Sequence, residues 1–111
     1  MTDRNFPGEF EQMVLLAALR IGTDAYAVPI RREIEERAHR AVARGALYTS
    51  LERLEAKGYL ASRMGDPTPE RGGRSRRYYE VTPAGVSAIR HSREAMDRLA
   101  QGLDSVIGKA Q

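Results

Sequence analysis

Apolar residues recur at helical spacing from Glu9 to Ile21, where Phe10, Met13, Val14, Ala17 and Ile21 predict a first helix. Leu15, Leu16 and Leu19 spread its apolar surface well beyond one stripe. A helix that is apolar over most of its circumference is either central in the core or shared with a second chain. Gly22-Thr23-Asp24 ends it, and Thr23 and Asp24 are side chains suited to cap the next helix. That second helix buries Ile30 and Ile34 and ends at Ala38, starting at either Ala25 or Val28. Pro29 lacks a donor that the earlier start would need, and it is comfortable with the later one.

After a short connection, a third helix is predicted from Ala43 to Lys57. Leu47, Leu51 and Leu54 form its narrow apolar stripe, while Gly45, Thr49 and Ala56 point the other way, flanked by Tyr48 and Arg53. The outer face is small near its start, so a backbone could approach another molecule closely. Gly58 terminates the helix. Two strand-like runs come next, Tyr59 to Met64 and Arg76 to Thr82, joined by a loop rich in Gly, Pro and Arg. The second run alternates, with Arg77, Tyr79 and Val81 on one face and Tyr78 and Glu80 on the other. Two strands alone are marginal, so this hairpin must lean on the helices.

Thr82-Pro83 is a strong helix start, a capping hydroxyl followed by proline at the first helical position. The last helix is expected to reach about Leu103 or beyond. Ile89, Met96 and Leu103 repeat every seven residues, with Leu99 and Val106 at intervening sites and Ser92 interrupting the seam. That pattern suits a short, imperfect coiled-coil strip or a stripe packed on its own domain.

Charge changes this picture more than overall composition does. The 111 residues are 41% hydrophobic and 30% charged, an ordinary globular balance for one domain. The longest apolar run, Met13 to Leu19, is too short to cross a bilayer, and no signal-like segment opens the chain. With no cysteine there is neither disulfide nor thiolate chemistry, and a cytoplasmic setting is expected. The formal net charge is +3, yet residues 1–36 carry four basic and seven acidic side chains. Residues 37–57 and 63–77 each carry five basic and two acidic ones, and residues 78–111 balance. A basic middle on a balanced chain suits a polyanion, although a solvated face would have the same composition.

Helix, helix, helix, basic hairpin and amphipathic helix is the order of a winged helix-turn-helix, mostly α with a small β-hairpin. In that architecture the third helix enters the DNA major groove and the hairpin contacts backbone or minor groove. Arg44, Gly45, Tyr48, Thr49 and Arg53 are then the groove-facing candidates. Arg71, Gly73, Arg74 and Arg76 would hold phosphate, with Gly72 and Gly73 letting the tip approach it. Residues 8–82 would form the DNA-binding domain and 83–107 a dimerisation helix. The expected dimer surface comprises Phe10, Leu15, Leu16 and Leu19 with Ile89, Met96, Leu99 and Leu103.

Two segments sharpen the reading. Residues 45–60, GALYTSLERLEAKGYL, resemble the GTLYxxLxRLExxGLI signature of PadR-type transcriptional regulators. Residues 72–85, GGRSRRYYEVTPAG, are similar to that family's GRxRRYYxLTxxG wing segment. Tyr26 and the stretch from Ile30 to Arg37 also fall in place, so the resemblance covers roughly residues 8–103. It implies a homodimeric, repressor-like protein on double-stranded operator DNA, in the short form with a single terminal helix. It also implies dimerisation through the first and last helices and a response to a small-molecule effector. Two positions depart from the pattern: Ala25 replaces a usual Gly, and Ala43 replaces a usual Ser or Thr cap. Ala43 has no capping side chain, a loss of roughly 1 kcal/mol if nothing substitutes. With no Trp, ligand stacking on a tryptophan in the dimer cavity, known in some members, cannot be carried over.

The rival readings are weaker. No nucleophile–base pair can be nominated, so no catalytic residue and no cofactor is expected. His39 and His91 sit in different elements without partners at metal-ligand spacing, so no metal is expected either. A winged helix used only as a protein–protein interaction module, without DNA, would keep the apolar pattern. It would not need five arginines between Arg63 and Arg77. RNA is disfavoured because an A-form major groove is too narrow for the third helix.

Overall fold

The computed structural model describes residues 6–69, 72–73 and 75–108. Helix α1 spans Glu9–Ile21, and the Glu11 carboxylate reaches back to accept from the Gly8 amide at 3.3 Å. Val14, Leu15, Ala17 and Ala18 are all buried, which makes α1 the central helix of the core. Around it pack Ile30 and Ile34 of α2 (Ala27–Ala38) and Leu47, Leu51 and Leu54 of α3 (Arg44–Ala56). Leu60 of β1 (Leu60–Met64), Tyr79 of β2 (Arg77–Val81) and Ile89 of α4 (Pro83–Ala100) close that core.

The start of α2 differs from both sequence expectations. Tyr26 is its N-cap residue and caps with no side-chain hydrogen bond. Thr23 and Asp24, expected as caps, instead form a 3₁₀ turn with Gly22. Pro29 is thus the third helical residue, where the missing N–H has no intrahelical partner to lose. Between α2 and α3, Val42 is buried as a plug, and its amide donates to the Glu35 carboxylate at 3.1 Å. This satisfies a donor that the tight connection would otherwise strand.

Helix α3 begins after Ala43 without a side-chain cap, as its sequence requires. Gly58 adopts a left-handed φ of 81° beyond its end. There the Tyr59 amide donates to the Leu54 carbonyl and the Gly58 amide to that of Glu55, a Schellman-type closure. The chain passes directly into β1, which pairs antiparallel with β2 in the register Leu60↔Val81, Ser62↔Tyr79 and Met64↔Arg77. The Tyr79 amide also donates to the Ala25 carbonyl at 2.8 Å, so the segment before α2 supports the hairpin like a third strand.

Thr82 caps α4 as expected, accepting from the Gly85 amide at 3.0 Å. The helix ends earlier than its heptad spacing suggests. It stops at Ala100, Gly102 takes a φ of 84°, and a short helix α5 covers Asp104–Ile107. Leu103 and Val106 therefore lie beyond a turn and do not continue one strip with Met96 and Leu99. Gly102 accounts for the break, because it takes up a backbone shape unfavourable to other residues.

Candidate nucleic-acid interface

With Leu47, Leu51 and Leu54 facing the core, α3 presents Arg44, Gly45, Tyr48, Thr49 and Arg53 to solvent. These are the groove-facing residues expected from the sequence, and the helix brings them together on one face. Nothing lies within 4 Å of where a Cβ on Gly45 would stand, so the backbone is open there. The Arg44 guanidinium sits 5.8 Å from the Tyr48 ring centroid, extending along the helix surface. Arg53 has a second attachment: it lies 3.8 Å from the Glu11 carboxylate. Glu11 is buried and also accepts from Lys57 Nζ at 2.9 Å, so one carboxylate of α1 holds the C-terminal half of α3.

In the wing, Gly72 and Gly73 both take left-handed φ values, 64° and 81°. Their amides donate to Pro69 and Thr68 carbonyls at 3.0 Å each, turning the chain at the tip. Arg71 and Arg74, expected to hold phosphate, lie outside the described residues. Arg76 is half-buried, and its guanidinium lies 3.9 Å from the centroid of the Tyr26 ring. Arg77 donates to Ser62 Oγ at 2.8 Å, and that hydroxyl donates to Glu55 at 2.6 Å, linking the sheet to α3. Burial pushes the Tyr79 hydroxyl above its ordinary pKa, with Arg77 opposing the shift and Glu55 adding to it.

Sequence reasoning missed the aromatic contacts at the wing base. Tyr26 meets Tyr78 edge-on at 5.7 Å, and the Arg63 guanidinium lies 4.6 Å over Tyr78. Strand alternation does separate Tyr78 from Tyr79. Nothing local, however, announces that a residue 52 positions earlier meets it.

The residues expected at a dimer surface divide. Leu16, Leu19, Met96, Leu99 and Leu103 are exposed. Leu15 (0% exposed) and Ile89 (5%) instead fill the protomer's own core, where α4 packs on α1. Phe10 is half-buried beneath the Arg40 guanidinium. Beside Leu16 and Leu19 an apolar groove of about 580 Å³, reaching Met13, Ala17 and Ile34, runs between α1 and α2. Among the described residues no group of three or more His, Asp or Glu side chains could hold a metal ion, and no helix is long and apolar enough to cross a membrane.

The same architecture is found in solved structures. A PadR-like transcription factor from Bacteroides fragilis superposes with a TM-score of 0.71 at 26% identity, covering 90% of this chain and 91% of that one. A transcriptional regulator from Clostridium thermocellum, Cth-833, gives a TM-score of 0.70 at 22% identity over 87% and 91% of the two chains, a likeness of fold. In sequence, the chain is 40% identical over 74 residues to the transcriptional regulator Rv3488 of Mycobacterium tuberculosis, or 65% of this chain. That match spans 63% of the relative's own length. The model of the "Transcriptional regulator PadR-like family" matches residues 15–91, well over half of the sequence. The exposed α3 face, the hairpin wing and this match agree: the chain belongs to the PadR-like family of transcriptional regulators.

Proposed function

We propose that the protein is a homodimeric repressor that binds operator DNA and responds to a small-molecule effector. The observation that carries this reading is the outer face of α3, where Arg44, Gly45, Tyr48, Thr49 and Arg53 stand clear of a core held by three leucines. Groove reading requires such a helix, anchored on one side and polar, with little bulk near its N-terminus, on the other. The wing supplies glycines at its tip and arginines along its flanks, which suits phosphate contact. The exposed apolar residues of α1, α4 and the segment after α4 support a two-fold dimer, which would set two α3 helices over a near-palindrome. An effector lodged near this interface would act by changing the spacing of those helices. The apolar groove beside Leu16 and Leu19 supports that input.

Genome-wide recovery of bound DNA followed by gel shift on the recovered site tests the reading. Binding to a defined near-palindrome, with site preference altered by Thr49→Ala, is the expected result. Recovery of no enriched DNA would overturn it.

A further inference from the structure

Arg76, already expected to hold phosphate, meets three residues at the base of the wing that neither the recognition helix nor the wing tip accounts for. Arg76 lies over Tyr26, Tyr26 packs against Tyr78 with an interplanar angle of 77°, and Arg63 lies over Tyr78. The result is a continuous chain of contacts, Arg76–Tyr26–Tyr78–Arg63, with the two rings meeting edge to face, drawn from the cap of α2, the residue before β2 and both strands. Its parts are pinned independently. The Tyr79 amide donates to the Ala25 carbonyl, and Arg63 Nη2 donates to the Thr23 carbonyl at 3.1 Å. The Gly65 amide donates to the Arg76 carbonyl at 2.7 Å, and a Cβ on Gly65 would collide with the Tyr78 ring. The ring is therefore seated against backbone.

A guanidinium held over an aromatic ring by its face leaves N–H groups for phosphate oxygens; Arg63 commits one, through Nη2, to the Thr23 carbonyl. Its position is fixed in advance, so less side-chain freedom is lost when an anion arrives. Arg31, Arg37 and Arg40 are used differently, each paired to a carboxylate.

We propose that Tyr26 and Tyr78 are positioning residues that hold Arg63 and Arg76 as preformed phosphate clamps at the wing base, adding Arg63 to the groups that meet the DNA backbone. This rests on the DNA-binding reading above and extends it to a surface between α2 and the wing. Such clamps carry no base recognition, so they govern affinity and salt response uniformly across sequences. A cluster that merely braced the wing would leave the number of neutralised phosphates unchanged.

Anisotropy titration of a mixed-sequence duplex about three helical turns long, over a series of salt concentrations, separates the two. For Arg63→Gln the slope of log affinity against log salt falls by about 0.9 for each phosphate no longer neutralised, so about 1.8 for a two-fold dimer. Arg63→Lys keeps the charge and restores most of the slope. Tyr26→Leu and Tyr78→Leu weaken binding roughly three- to tenfold, and Tyr26→Phe and Tyr78→Phe restore it because the ring remains. Thermal melts identify any variant whose loss reflects unfolding. A wild-type slope in Arg63→Gln, or Phe variants as weak as Leu variants, overturns the clamp while leaving DNA binding intact. A wild-type protein that binds no duplex overturns the DNA-binding reading and the clamp with it.

Discussion

The Thr82 hydroxyl donates to the Gly58 carbonyl at 2.6 Å while accepting from the Gly85 amide at 3.0 Å. One side chain thus ties the end of α3 to the start of α4, the helix proposed to meet the partner. Gly85 supports the same junction, since a Cβ there would collide with the Tyr59 carbonyl. Thr82→Ala removes a helix cap and the hydrogen bond to the Gly58 carbonyl, and it is expected to cost about 1–2 kcal/mol. Thr82→Ser keeps both hydrogen bonds and recovers most of the loss. Urea unfolding of the two variants measures the difference. Equal midpoints for Ala and Ser would show that the hydroxyl contributes nothing.

Glu11 makes a second tie, between α1 and α3, through Lys57 and Arg53. The carboxylate is buried but both cations reach solvent, so its removal leaves no cation stranded in the core. Glu11→Ala is therefore expected to cost about 1–3 kcal/mol, below the roughly 3–5 kcal/mol typical of a broken, fully buried pair. Denaturant midpoints at low and high salt check this. A loss that vanishes in high salt would mark a screened surface pair instead.

The sequence made α1 and the stripe of α3 legible because each carries a period matched to its structure. The interface was only partly legible for the same reason. Helical spacing shows that Leu15 and Ile89 are apolar and placed to be buried, but not which neighbour buries them, and both are taken by their own domain. The heptad spacing from Ile89 to Val106 is real in the sequence, yet Gly102 turns the chain before the strip is complete. Tyr26 gave no local sign of its role, since its edge-to-face contact with Tyr78 exists only once β2 is docked beside the start of α2.

Alkaline pH should loosen the sheet through Tyr79. Burial raises its hydroxyl above the ordinary value of 10.0, so the folded state favours the neutral phenol. The unfolded chain ionises first as pH rises. The contribution is thus intact below about pH 10 and lost as pH climbs through the folded value. Tyr79→Phe should flatten the fall in unfolding midpoint above about pH 10. An equally steep fall in the Phe variant would assign the alkaline loss to other groups.

Salt dependence tests the electrostatic side of DNA recognition as a whole. A dimer neutralising about 6–10 phosphates loses on the order of 10³–10⁵ in affinity between roughly 50 and 200 mM salt. Arg76→Ala should weaken all duplexes nearly equally, while Thr49→Ala changes the ranking among them. Competition titrations with several duplexes read both effects. A change of ranking confined to Arg76→Ala would reverse the roles given to wing and helix.

The expectation of a dimer comes from the surface that the fold leaves uncovered. Met96 is 66% exposed and Leu99 77%, three positions apart on α4, while Leu16 and Leu19 are exposed on α1. Single exposed leucines are ordinary on a monomer surface, but four large apolar side chains are exposed on these two helices, and Leu16 and Leu19 also line the apolar groove between α1 and α2. Beyond the Gly102 turn, Leu103, Val106 and Ile107 are exposed as well. A second copy related by a two-fold axis would cover the same residues on both chains at once. The Met96→Asp, Leu99→Asp double variant places charges where both partners would have to desolvate them. Neither residue contributes to the protomer's own core, so the variant should fold and sediment as a monomer. Its DNA affinity should fall, because two linked half-sites become independent ones. Native-like dimers with unchanged affinity would remove α4 from the interface.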